Sequence, residues 1–191
     1  MTVRRQRTKE AIKQGYLEWI LKNNKMPHVK ELAEELNINR GTFYLHYADV
    51  YAVLDDLEND TITNIKKIVV DYQDQSLLQL IVLIIEHIQT NRAVFQVLLS
   101  SKTETHYTQK LIREMKKFVP RSPIFSQIED DEVRDYITTF IFAGSISVFA
   151  NWIREDSRMP PQEIVEKMHQ FFVSPTTTHS NGKVLHQKCS G

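Results

Sequence analysis

Cysteine is almost missing from this 191-residue chain: its one thiol, Cys189, falls within the last three residues. Neither a disulfide framework nor a Cys-based metal site can therefore form within one chain, an economy that fits a reducing, cytoplasmic compartment. Glycine (5 residues) and proline (6) are scarce, and alternating β-branched runs are few. A strand-rich fold is excluded on that basis, and the many long-chain helix formers predict a nearly all-α protein. A secretory signal is missing as well, because the basic start leads into a helical pattern studded with Lys and Glu rather than an apolar run. Catalytic signatures are also wanting. The seven histidines make no HExxH-like spacing, no Gly-rich phosphate loop or nucleophile motif is present, and the Asp130–Asp131 pair reads as a helix cap. The chain reads as a non-enzyme with no cofactor and no metal.

Net charge is zero, with 24 basic and 24 acidic residues, which taken alone argues against a nucleic-acid partner. The distribution argues the other way. Residues 1–47 hold nine Lys or Arg against five acids, a surplus of four that the remaining 144 residues balance. Such a split suits a DNA-binding head on a neutral or acidic body. The basic tip TVRRQRTK can follow phosphates or enter the minor groove, and without DNA it is expected to be a solvated, disordered terminus ahead of a helix from Thr8 to about Asn23. That helix would bury Ile12, Tyr16, Trp19 and Ile20.

The densest information lies in VKELAEELNINRGTFYLHY, from Val29 to Tyr47. Val29, Leu32, Ala33 and Leu36 recur at helical spacing, with Lys30, Glu31, Glu34 and Glu35 on the wet side. Pro27 suits a helix start. Asn37 tolerates the left-handed backbone of a tight turn, Ile38 can plug the corner, and Asn39 is a good N-cap for a second helix. In that helix Phe43 and Tyr47 are four apart and face inward. Arg40, Thr42, Tyr44, Leu45 and His46 are left for the groove and its phosphate walls, and Gly41 leaves no side chain to hold the backbone off DNA. Arg binds guanine bidentately, Thr and Tyr donate to phosphate, and Leu or Thr methyls meet thymine methyls. The layout is a helix-turn-helix.

A helical hairpin inside a bundle would share the hydrophobic pattern, but the wording is closer than a pattern. LAEELNINRGTFYLHY, followed by Asp49 and Leu54, resembles the DNA-binding domain of TetR-family bacterial regulators over about residues 8 to 56. Three positions depart from that family: Val50 replaces a common Lys that helps hold phosphate, Asn37 replaces the usual turn Gly, and His28 the usual Thr. The expected DNA-contacting set is Lys30, Asn39, Arg40, Gly41, Thr42, Tyr44, Leu45 and His46.

Asp49 can cap a long linking helix carrying Val50, Val53, Leu54, Leu57, Ile62, Ile65, Ile68 and Val69. Its acids Asp55, Asp56, Glu58 and Asp60 read as a solvated face that keeps this side off phosphates. SLLQLIVLIIEHIQ is apolar nearly all round and predicts a central buried helix, with His87 a core or boundary histidine. NRAVFQVLLSS and ETHYTQKLIREMKKFV follow as a short and an amphipathic helix, and PRSPIF reads as a loop. Tyr136 to Ile153 is 18 residues without a charge. That is the lower edge of a membrane span, but its Thr, Ser and Asn content and the lack of a second span argue for a two-faced helix. One face would pack on its own core and the other, with Gly144 or Ala150, on a second subunit. PPQEIVEKMHQFF is amphipathic, and the tail from Ser174 reads as disordered.

NRxxFxxLLS, then FxxGxxxxxxxWI, then a proline-led last helix resembles the C-terminal domain of small TetR-family regulators of Gram-positive bacteria, on Asn91, Arg92, Phe95, Leu98, Leu99, Ser100, Phe140 or Phe142, Gly144, Trp152 and Ile153. That resemblance implies a four-helix dimer interface built from the last two long helices. The combined expectation is an all-α protein: a three-helix head (1–56), a helical-bundle dimerisation and ligand domain (57–173) and a tail (174–191). It would act as a cytoplasmic, homodimeric repressor on a palindromic operator of double-stranded DNA, with no membrane role, released by a small-molecule effector bound between the linking helix and the charge-free helix. Tyr72, Tyr107 and Phe149 are candidate site aromatics. The alternative is a regulator or coactivator controlled by a protein partner.

Overall fold

The computed structural model describes residues 3–72, 74–75, 77–100, 104–117, 128–155 and 159–173. The loop expected at PRSPIF, the tail from Ser174 and Cys189 lie outside them. Helix α1 (Val3–Asn23) begins five residues before the expected start. Nothing between Val3 and Thr8 breaks a helix, and Thr8 Oγ1 donates back to the Arg4 carbonyl at 3.1 Å. The basic tip is thus helical rather than a loose arm.

Helices α2 (Val29–Glu35) and α3 (Arg40–Tyr44) complete the head. Ile12, Tyr16, Leu17, Leu32, Phe43, Tyr47 and Val53 form its core, and Ile38 packs on it from the corner. Trp19 and Ile20 are only half-buried; Lys25 Nζ sits 5.8 Å from the Trp19 ring centre. Asn37 takes the left-handed backbone at φ 51°. The crossing of α1 on α2 is close at Gly15, where an added Cβ would come within 2.5 Å of Leu36 Cδ2. Val50, in place of the family's Lys, is buried in this core.

Helix α4 (Val50–Asp71) starts on Asp49, whose Oδ1 accepts from Ala52 N at 2.8 Å. It belongs to both halves: Val53 and Leu57 are in the head core, Ile62 and Ile65 in the body core. The body adds α5 (Leu77–Thr90), α6 (Arg92–Leu98), α7 (Glu104–Lys116), α8 (Asp131–Arg154) and α9 (Pro161–Val173); no strand occurs among the described residues. Short α6 acts as a wedge. Its Phe95 and Leu98 fill the body core with Tyr107, Leu111, Met115, Trp152 and Ile153, while Val97 and Val94 face the head core.

Two expectations about the body change. Helix α5 is not buried all round: Leu80, Ile85 and Ile88 are buried, but Ile81, Val82, Leu83 and Ile84 are half-exposed, because α4, α6 and α9 cover it from one side. On α8, Ala150 lies fully inside the chain's own core and cannot face a second subunit, whereas Gly144 is open. Asp130 caps α8 as expected, accepting from Glu132 N at 2.8 Å and Val133 N at 3.0 Å. Helix α8 is long and apolar enough to cross a bilayer. Its C-terminal half is instead tied into the bundle: Trp152 Nε1 donates to the Met159 carbonyl at 2.9 Å, and the Arg92 guanidinium lies 5.0 Å over the Trp152 ring.

The α1–α2 crossing gives a test of the head. Gly15→Leu is expected to cost about 1–3 kcal/mol by overpacking against Leu36, while Gly15→Ala gains back up to about 1 kcal/mol of helix propensity and lies close to wild type. Thermal unfolding of both variants checks the order.

Candidate nucleic-acid interface

The recognition helix is built from its cap upward. Asn39 Oδ1 accepts from Thr42 N at 2.7 Å and from Thr42 Oγ1 at 3.0 Å, so both polar side chains hold the first turn of α3. Phe43 and Tyr47 anchor the inner face, fully buried and 5% exposed respectively. The outer face carries exposed Arg40, Gly41, Tyr44 and Leu45, the last two 57% and 70% exposed. His46 is half-buried beside them. Burial, then the charges of Arg5 and Lys9, hold its imidazole below the ordinary histidine value. Arg5 donates to the Leu45 carbonyl at 3.2 Å, bringing the basic start of α1 against the end of the recognition turn. Lys30 stands exposed on α2, 3.9 Å from Glu34. The eight residues thus fall into three roles: Asn39 and Thr42 organise α3, Gly41 opens it, and Arg40, Tyr44, Leu45, His46 and Lys30 are presented.

The acidic run on α4 is only in part a solvated face: Asp55 and Asp60 are exposed, whereas Asp56 is half-buried and Glu58 buried, and all four are paired. Asp56 accepts from Lys9 Nζ at 2.9 Å and from the Tyr47 hydroxyl at 2.7 Å, and Asp60 accepts from Lys13 Nζ at 2.5 Å. These bonds brace α1 and the end of the recognition turn against α4. One turn along, Glu58 is buried, with Oε1 2.9 Å from His106 Nδ1 and Oε2 accepting from Lys110 Nζ at 3.0 Å. Lys110 also pairs with Asp55, whose carboxyl that hydrogen bond holds below its usual range. The first half of α4 is therefore bonded to the head on one side and to α7 on the other. His106 and Lys110 escaped the sequence reading, and Glu58, read there as part of a solvated face, is buried. The available signal was spacing: Leu54, Glu58, Thr61 and Ile65 share one helical face, so Glu58 occupies an apolar position.

A cavity of about 410 Å³ opens beside Glu58, bounded by Ile20 and Met26 of the head, Tyr51, Leu54 and Asp55 of α4, and Val97, Ser100 and His106 of the body. The linking helix lines it as expected, but the charge-free α8 does not. Tyr107 and Phe149 are buried in body cores and Tyr72 is exposed on α4's end, and none of the three borders it.

A capped, outward-facing second helix on a three-helix head, joined by one long helix to a bundle, defines a helix-turn-helix regulator. Residues 75–174, more than half the chain, match the TetR family's model for the transcriptional regulator C-terminal region. The chain belongs to the TetR family of transcriptional regulators. An uncharacterized HTH-type transcriptional regulator of Bacillus subtilis (strain 168), YxbF, is 22% identical over 158 residues, 78% of this chain; the match spans about 40% of that relative's length. The fold is shared with the fatty acid degradation regulator FadR from Bacillus halodurans, at a TM-score of 0.69 and 14% identity over 88% of this chain and 96% of that one.

The Asp56 pairing predicts a pH dependence. Burial pushes this carboxyl up, but hydrogen bonds from Lys9 and Tyr47 and the charges of Lys9 and Lys13 outweigh it, and the group is held below its ordinary value. A carboxyl depressed in the folded state stabilises fully above its unfolded pKa of about 3.9 and loses that contribution as pH falls through the folded value. Urea midpoints of wild type and Asp56→Asn should differ by a constant amount from about pH 7 to pH 5 and converge below about pH 4. A gap that widens in acid refutes the assignment.

Proposed function

We propose that this chain is a cytoplasmic, homodimeric repressor that reads a palindromic operator in duplex DNA and is released by a small-molecule effector. The observation that carries the reading is the division of labour on α3. The fold uses Phe43, Asn39 and Thr42, and leaves Arg40, Tyr44 and Leu45 outward, Tyr44 touching the core only edge-on at the Phe43 ring, 5.8 Å between ring centres. In this reading Arg40 contacts base edges, Tyr44, His46 and Lys30 contact phosphate, and Leu45 contacts a thymine methyl. Residues 1–56 form the DNA-binding unit and 57–173 the regulatory and dimerisation unit.

Dimerisation is supported by α8. Val133, Tyr136 and Phe140 are 45%, 65% and 68% exposed, and with Gly144, Ser147 and Asn151 they follow one another at three- and four-residue steps. Such a row reads as a helix-packing seam that nothing covers among the described residues. A two-fold dimer presents two identical recognition helices, hence the palindrome. The cavity beside Glu58 favours a small-molecule effector over control by a protein partner.

Two experiments test these claims. In selection from randomised duplexes, Arg40→Ala should lose on the order of 1–3 kcal/mol and relax one base preference, while Tyr44→Phe should weaken all sequences alike; a wild type that selects no motif overturns the reading. Phe140→Glu should yield monomers in light scattering, because a close seam cannot desolvate an unpaired carboxylate. A wild type that is monomeric at micromolar concentration overturns the dimer.

A further inference from the structure

The cleft between head and body has a charge arrangement that neither core requires. Its volume, about 410 Å³, lies within the range of small-molecule sites. Met26, Leu54 and Val97 give it apolar walls. Glu58 borders it with a side chain only 1% exposed. Asp55 stands one turn earlier on the same helix. These two carboxylates share a single ammonium, that of Lys110, which bonds both. Lys25, a further cation on the wall, faces Glu31 at 3.2 Å. The remaining place on Glu58 Oε1 is filled by the His106 ring, which is 73% exposed and sits at the solvent side of the contact. Among the described residues, two carboxylates at the edge of an apolar cleft thus share the Lys110 ammonium, and the second partner of Glu58 is a side chain that is largely exposed to solvent.

We propose that this cleft binds a small apolar molecule bearing one protonated amine, its ammonium seated on Glu58 Oε1 in place of the His106 ring and its hydrocarbon body against Met26, Leu54 and Val97. An anionic ligand of the same shape would meet two carboxylates at short range, and a neutral one would offer Glu58 at most an uncharged donor, a weaker bond than an ammonium makes. The site deepens the effector reading proposed above and rests on it for its consequence. Its walls come from α1 and α4 on one side and α6 and α7 on the other, so an occupant wedges head against body.

The test is calorimetric titration of the full chain with three probes that share one hydrocarbon body: phenylbutylamine, phenylbutanol and phenylbutyrate. The amine should bind about tenfold or more tighter than the alcohol, and the acid more weakly than the alcohol. Glu58→Gln should bring the amine down to the alcohol's affinity while leaving the alcohol unchanged. Asp55→Asn, at a site 60% exposed where folding is not at risk, should lower the amine's affinity by a smaller factor, and it decides the matter if circular dichroism shows Glu58→Gln unfolded. His106→Ala should hold or raise the amine's affinity. Equal binding of amine and alcohol to wild type, or an amine preference that survives at Asp55→Asn and at a folded Glu58→Gln, overturns the site. Operator affinity with and without saturating amine is measured separately. A cation that binds through Glu58 without changing operator affinity leaves the site standing and removes the effector reading. No binding, with operator recognition intact, removes the site alone.

Discussion

Helix α4 has to serve two cores at once, and the structure is organised around that constraint. A 22-residue helix with Val53 and Leu57 in the head and Ile62 and Ile65 in the body shows apolar faces in two directions within its first sixteen residues. Its acids then fall in the sectors between those faces, where Asp56 and Glu58 lose much of their solvent while Asp55 and Asp60 keep about half of it or more. Asp56 and Asp60 fall toward α1 and are met by Lys9, Lys13 and Tyr47. Asp55 and Glu58 fall toward α7 and are met by Lys110 and His106. At Asp56 and Glu58, removing the partner leaves a partly or wholly desolvated charge, which costs far more than a surface ion pair contributes. The angle of the head on the body is thus set by oriented polar bonds, with Val94 and Val97 of α6 adding a non-directional apolar contact.

The same pairing explains how α3 is held. A five-residue helix has no intrinsic stability in water. It persists because Asn39 caps it, Phe43 is fully buried under it, and the turn after it ends in Tyr47, whose ring enters the core and whose hydroxyl donates to Asp56. Burial and the adjacent Asp56 carboxylate keep that phenol protonated far above its ordinary value, so it remains a donor at every physiological pH. The recognition surface is consequently positioned from α4, through Tyr47, rather than by its own helix.

Much of the head was legible in the sequence, because its signals are local. The cap at Asn39, the left-handed Asn37, the inward pair Phe43 and Tyr47 and the cap at Asp49 each follow from residue chemistry within one or two turns. The helical start at Val3 was missed because a run of arginines reads as a solvated tip until the Arg5 bond to the Leu45 carbonyl is seen. The acidic run was misread because sequence spacing shows that four acids lie close together but not that lysines 47 to 55 positions away come to meet them. Ala150 and Gly144 look alike as small residues on one charge-free helix; only the packing of Phe149, Trp152 and Ile153 decides that the first faces inward and the second outward. The cavity's place was misjudged for a related reason. Apolar content located the body, whereas the open volume lies where two separately packed cores meet and neither can fill the space.

That location has a thermodynamic consequence. A ligand enclosed within one core changes the DNA head only if the core transmits a displacement. An occupant of the proposed site, at the meeting of α1, α4, α6 and α7, would touch head and body alike, so its binding energy would depend directly on their relative tilt. Because coupling free energies are reciprocal, a head orientation imposed by DNA must change the cleft's affinity by the same factor that cleft occupancy changes the affinity for DNA. A tenfold effect in either direction requires about 1.4 kcal/mol of difference between the two tilts, comparable to one charge-assisted hydrogen bond made in one state and lost in the other. The Glu58 contacts to His106 and Lys110 are bonds of that kind and join α4 to α7. Rearranging one of them is therefore sufficient in magnitude, without any reorganisation of either core.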